Sequence, residues 1–273
     1  KSGPMRIVYH LGAHCTDEDR LVRCLLKNRA ILAEDGIAVP SPTRYRKLLR
    51  DTANQLRGAT ASQETEAMIL DQIMDGGTAE RLILSWTSFL SFPAYAVGEM
   101  LYGGGGQRIR AFTQIFPGLE AEFHLGLRNP ATFLPDLRER AQGKGHDDIL
   151  RDVDAMRLRW SDTIREIRAE NPGVPITVWC DEDTPLIWPE VLQAVSGHQP
   201  ETVLEDVDEL MAQLMTPVGL ARFHAYCSEH PPQSEAHRRR IVTAFLEKFG
   251  HPGQLSFEVK APGWTEGLVE DLT

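Results

Sequence analysis

The stretch IVYHLGAHCTDEDRLVRCLL, Ile7 to Leu26, decides how this chain is read. Arg6 to Leu11 is rich in Ile, Val, Leu and Tyr, which suits a central strand. A tight turn follows. From Thr16 the pattern predicts a helix, with Leu21, Val22, Leu25 and Leu26 spaced to bury one face against a sheet. Strand, turn and helix in this order have the shape of a phosphate-binding loop. The side chains do not match that shape. Where such a loop supplies glycine, lysine and hydroxyls, this turn supplies Cys15, Asp17, Glu18 and Asp19.

Outward from this unit, strand and helix patterns alternate. The first helix is expected to run to about Asp35, where Gly36 ends it, and Ile37 to Pro40 is a short extended piece. Helical patterns cover Arg44 to Gly58 and Gln63 to Met74. Arg81 to Trp86 and Pro175 to Cys180 read as buried strands, and Ala121 to Leu127 as a further strand. Between them the spacing predicts helices at Ala94 to Leu101, Arg108 to Phe116, Ala131 to Ala141 and Trp188 to Val195. It also predicts one long amphipathic helix from Ile149 to Glu170, with Val153, Met156, Trp160, Ile164 and Ile167 on its stripe. Gly103 to Gly106 lacks a following lysine and serine and reads as a flexible surface loop. The alternation implies an α/β fold, a parallel sheet flanked by helices on both faces. From Glu201 the chain turns helical, at Val203 to Met215, Gly219 to Glu229, Ser234 to Phe249 and a short last piece from Pro262. The expected organisation is an α/β core over residues 5–200 with a C-terminal helical part, 201–273, packed on it, or one single domain over 5–273.

The chain has 273 residues and a formal net charge of −10, which argues against nucleic acid or an anionic membrane as the main partner and leaves a small molecule or a protein. No apolar run is long enough to span a bilayer and no signal peptide is visible. Lys1 to Pro4, before Met5, reads as a tag remnant. Cys15, Cys24, Cys180 and Cys227 are scattered without a C-x-x-C pair, which disfavours a zinc framework and points to a reduced, cytoplasmic setting.

The longer run HLGAHCTDEDRLVRCLLKNRAILAEDGIAVP resembles the start of bacterial sulfotransferase-family proteins. Their pattern is a strand, then H-x-G-x-x-K-T-G-T-T, an apolar-spaced helix and N-R-x-x-L-x-x-x-G-i-x-x-P. His10, Gly12, Thr16, Leu21, Asn28, Arg29, Leu32, Gly36, Ile37 and Pro40 fall on it. A second match is Leu125 to Pro130, where the family places an arginine, here Arg128, on the 3′-phosphate of its donor. The resemblance covers roughly the first two thirds of the chain. It implies a P-loop-like α/β core and 3′-phosphoadenosine 5′-phosphosulfate (PAPS), or its product 3′,5′-adenosine diphosphate, as nucleotide. Gly12, Thr16 and Arg128 would be the contacts, with Thr132 in place of a missing serine hydroxyl. The departures are Cys15 for the family's lysine, Asp17 for glycine, Glu18 and Asp19 for two threonines, and Asp136 for the serine. They imply a sulfotransferase-like protein that has lost ordinary PAPS binding and acts as a binding or scaffold protein, or as a transferase with another donor. The alternative is an active sulfotransferase moving a sulfuryl group from PAPS to a hydroxyl or amine. No catalytic residue is assigned.

An anionic donor needs free N–H groups at the helix N-terminus and a cation on the developing charge. Three carboxylates there would repel it, and neither Arg20 nor Arg23 is placed to offset them. Thr16 with Asp19 is close to a capping box, so the acids also suit a purely structural helix start. His10, His14, Cys15, Asp17 and Glu18 include metal-ligand types but show no familiar spacing, so no metal site is assigned. Arg128 is expected either to grip an anion or to pair with Asp136 or a loop carboxylate. Asp181-Glu182-Asp183 would stand at the same sheet edge, as a general base or cation site, or as a loop and cap. His124, Trp160, Trp179 and Trp188 read as core, Ser85 lacks the context of a hydrolase triad, and Arg238 to Arg240 read as a solvated helix face.

Overall fold

The computed structural model describes residues 5–251. Five strands, β1 (Arg6–Gly12), β2 (Ile37–Ala38), β3 (Arg81–Ser85), β4 (Glu120–Leu127) and β5 (Ile176–Cys180), form one sheet in the order β2-β3-β1-β4-β5. Every neighbouring pair is parallel. Parallel neighbours need long crossovers, and helices supply them. These are α1 (Arg20–Lys27), α2 (Arg29–Glu34), α3 (Pro42–Leu56), α4 (Gln63–Met74), α5 (Gly105–Thr113), α6 (Pro130–Gln142) and α7 (Trp160–Glu170), and α8 (Thr184–Ser196) follows β5. Three more follow, α9 (Glu209–Leu214), α10 (Pro217–Glu229) and α11 (Glu235–Phe249). The fold is therefore α/β, a parallel sheet flanked by helices.

β1 lies in the middle because its side chains are apolar toward both faces. Ile7, Tyr9 and Leu11 enter one core with Phe89, Phe112 and Phe133. Val8 enters the other with Leu21 and Leu25 of α1 and with Trp188 and Leu192 of α8. Strands covered on both faces read as unbroken apolar runs, which is why Ile7 to Leu11 does not alternate cleanly. After β3 the chain passes over β1 to begin β4, so the carboxyl end of β1 is where the strand order reverses. Open α/β sheets hold ligands at such points.

Several expected elements change on inspection. The helix predicted from Thr16 starts at Arg20, because Cys15, Glu18 and Asp19 adopt left-handed backbone angles, φ 57°, 51° and 64°. It breaks at Asn28. That side chain donates to the carbonyls of Cys24 (2.8 Å) and Glu205 (3.0 Å) and accepts from the Glu205 N–H (2.6 Å). Gly103 and Gly104 form an exposed turn, as expected, but Gly105 and Gly106 are buried in the first turn of α5. A Cβ on Gly106 would lie 2.8 Å from the Glu166 carbonyl oxygen of α7, so glycine is what lets these two helices touch. The helix expected at 94–101 shrinks to one 3-10 turn, Pro93–Tyr95, followed by a bridge between Val97 and Leu101.

The long helix expected from Ile149 starts only at Trp160. Upstream, the carboxylates of Asp148 and Asp154 accept the N–H groups of Leu150 and Met156, which competes with helical bonding. β5 is an edge strand rather than a buried one, with Val178 41% exposed. The helix expected from Val203 covers only Glu209–Leu214. Arg238 and Arg239 are not merely solvated: Arg238 donates to the Leu186 carbonyl (3.1 Å) and Arg239 lies 3.7 Å from Glu190, tying α11 to α8. Met211, Phe223, Ile241 and Val242 form a third apolar cluster that reaches Leu186 of α8. Among the described residues no helix is long and apolar enough to cross a membrane. The short piece expected from Pro262 lies outside the described residues.

Candidate functional site

Gly12 ends β1 with φ 95°, and a Cβ there would meet the Thr87 Cα at 3.1 Å. The close approach of this strand end to the segment after β3 therefore requires glycine. The Thr16 hydroxyl turns back and donates to the Ala13 carbonyl (2.7 Å). Asp17 Oδ2 accepts from the Leu21 N–H (2.9 Å), so Asp17 satisfies the first turn of α1. The capping box expected of Thr16 and Asp19 is not formed, because Asp19 makes no side-chain cap.

Asp19 points instead to Arg46 of α3, which grips it with two bonds of 3.0 and 2.7 Å. Arg46 also donates to the Ser85 carbonyl at the end of β3, at 3.0 and 2.8 Å. Glu18 is ion-paired with Arg140 of α6. Arg128, at the end of β4, is fully engaged. It donates to the Cys15 carbonyl (2.7 Å) and to Thr132 Oγ1 (3.1 Å), and it pairs with Asp136 at 2.6 Å. Of the two expectations for Arg128, the structure has the ion pair with Asp136. A left-handed residue other than glycine costs roughly 1–2 kcal/mol. The Glu18 and Asp19 pairs hold two such residues in place.

The loop is thus not the bare acidic patch its local sequence suggests. Glu18, Asp19 and Asp136 each meet an arginine, drawn from α6, α3 and the end of β4. Asp17 is the acid left without a cation, and its Oδ1 is buried with no hydrogen-bond partner. Asp181, in the turn after β5, holds its proton up to about pH 6: burial raises its pKa, the Asp17 charge raises it further, and Glu182 adds to both. A carboxyl that titrates there can take up and return a proton near neutrality. Glu182 has another task, accepting the Asn129 N–H (2.6 Å) and so bracing the turn that carries Arg128.

The remaining sequence candidates separate in space. His10 is buried, with Nδ1 2.8 Å from Ser85 Oγ and its ring stacked 6.0 Å from Trp179. His14 turns toward Tyr102 and Ser88. Burial pushes the Cys15 thiol up to about 11, so it stays protonated and is a poor nucleophile or ligand. Among the described residues no three His, Cys, Asp or Glu side chains group as a metal would need. His124 is buried and bonds Glu122 at 2.9 Å.

Arg46 and Arg140 were the residues local reading missed. They lie 27 and 122 positions from their partners, inside helices whose only pattern is apolar spacing. No protein-family profile matches the chain, and no curated protein matches it. Among solved structures it is similar to a sulfotransferase from Alicyclobacillus acidocaldarius, at 13% identity over 90% of this chain and 99% of that one, with a TM-score of 0.39. A likeness that loose fixes no residue's role.

Proposed function

We propose that this chain is a sulfotransferase-like α/β protein whose loop after β1 is closed to a phosphosulfate donor, and that it works by binding rather than by sulfuryl transfer. The observation that carries this reading is occupancy. Every arginine that reaches the loop is already held by one of the chain's own acids: Arg46 by Asp19, Arg140 by Glu18 and Arg128 by Asp136. The start of α1 is held by Asp17 in the same way. A nucleotide contacting Arg128 would have to displace Asp136, the Cys15 carbonyl and Thr132 together. These pairs are partly exposed, so each is worth little by itself, but displacing several hydrogen-bonded partners at once adds to the repulsion between the acids and the donor. The residues present therefore do not fit PAPS.

Calorimetric titration with 3′,5′-adenosine diphosphate tests this. The expected result is no binding at about 1 mM, and micromolar affinity would refute the reading. The combined variant Cys15→Lys, Asp17→Gly, Glu18→Thr and Asp19→Thr restores the donor-loop residue types and releases Arg46 and Arg140. It is expected to bind the nucleotide. If it binds no better than the parent, occupancy of the loop was not the obstacle.

A further inference from the structure

Between the loop after β1, the segment after β3 and the end of α6 lies a small polar cavity of about 180 Å³. Its lining includes His14, Glu18, Asp19, Ser88, Arg140 and Lys144. A chain of hydrogen bonds leads into it. The His14 N–H donates to Tyr102 Oη (3.0 Å), and Tyr102 Oη lies 2.8 Å from His14 Nδ1. Tyr102 is fully buried, and burial pushes its phenol pKa far up, so it keeps its proton. Among the described residues Nδ1 is the one acceptor in reach of that proton, so the proton goes there. The imidazole proton is then on Nε2.

His14 Nε2 lies 3.4 Å from Ser88 Oγ, which therefore accepts. The Ser88 O–H is left as a donor with no acceptor among the described residues. Burial, reinforced by Arg140 and Lys144, holds the His14 pKa down to about 3, so the ring is a neutral donor at physiological pH.

The charges point the same way. Glu18 is matched by Arg140 and Asp19 by Arg46, while Lys144 makes no ion pair among the described residues. One positive charge and an unspent hydroxyl proton remain facing a space that holds about six waters at ~30 Å³ each.

We propose that this cavity binds a small oxyanion, the sulfate, phosphate or carboxylate group of a small molecule, received by the Ser88 hydroxyl, which the His14 Nε2–H polarises, and by Lys144. The anion takes the open end of a polarised hydrogen-bond chain, where each donor strengthens the next. Glu18 is its competitor, since it holds Arg140 at the same cavity. The proposal goes beyond the reading of the donor loop: it stands whether or not a nucleotide binds near Arg128, and its probes contain no adenosine.

The test is NMR of the His14 imidazole nitrogens during titration with sodium sulfate, phosphate and acetate to about 50 mM at fixed ionic strength. In the free protein Nε2 is expected to carry the proton. A saturable shift at Nε2 is expected with at least one anion, and which anion does so separates tetrahedral from planar ligands. Lys144→Gln and Ser88→Ala each weaken binding, the former roughly fivefold. Glu18→Gln tightens it by a similar factor, which loose screening of a surface lysine would not do. No His14 shift with any of the three anions, in both the parent and Glu18→Gln, would overturn the proposal. So would a shift that Ser88→Ala and Lys144→Gln leave unchanged.

Discussion

Replacing Asp181 by asparagine is expected to stabilise the protein at pH 8 and to leave its stability unchanged below pH 4. The folded chain holds the Asp181 proton to about pH 6, against 3.8 for an ordinary aspartate. Between those values the folded state binds more protons than the unfolded one, so stability falls as pH rises through the window. The loss begins above the unfolded pKa and is complete above the folded one. At about 1.36 kcal/mol per pKa unit, the ceiling is about 3 kcal/mol. Asp181 is only partly buried and water screens some of the Asp17 charge, so a realistic gain is about 1–2 kcal/mol. Asparagine keeps an oxygen for the 3.4 Å contact from Thr184, so little else changes. Urea unfolding of both proteins at pH 4, 6 and 8 reads the effect as a growing difference in midpoint at constant slope. An Asp181→Asn protein no more stable than the parent at pH 8, or equally stabilised at pH 4, would refute the reasoning. Asp17→Asn gives an independent check, because removing that charge should flatten the parent's pH dependence over the same range.

Three further variants probe the loop and the contact between α5 and α7. Asp19→Ala is expected to cost about 2–3 kcal/mol by freeing Arg46 while keeping a Cβ in the left-handed position, whereas Asp19→Gly, which removes that Cβ, should cost about 1 kcal/mol less. Thermal unfolding of the pair decides it, and equal losses would mean the backbone angle contributes nothing. Gly106→Ala pushes a Cβ to 2.8 Å from a backbone oxygen of α7, so a loss of about 1–3 kcal/mol in denaturant midpoint is expected. A neutral result would mean that α5 and α7 do not touch there.

What was legible in the residues follows from range. β1, β3 and β4 are short apolar runs, α3 and α4 carry helical spacing and α4 its own serine cap, and each is decided by neighbours a few positions away. The strand-loop-helix unit at the sheet centre and the α/β class came with them. The errors share one cause. Pro175 to Cys180 is apolar enough for a buried strand, but its place at the sheet edge depends on no later strand among the described residues pairing with it. Gly105 and Gly106 looked like loop because the partner that needs Gly106 is α7, sixty residues on.

The amino-acid sequence by itself determined that a sheet with two apolar faces would place an acid-rich turn at the end of its central strand. Only the tertiary structure decided what those acids do. Ion pairs act through space and carry no sequence period, so nothing in the turn announces Arg46 and Arg140 as its partners. Folding brings them there, together with Arg128 and Asp136, and turns a set of like charges into a closed, self-occupied site.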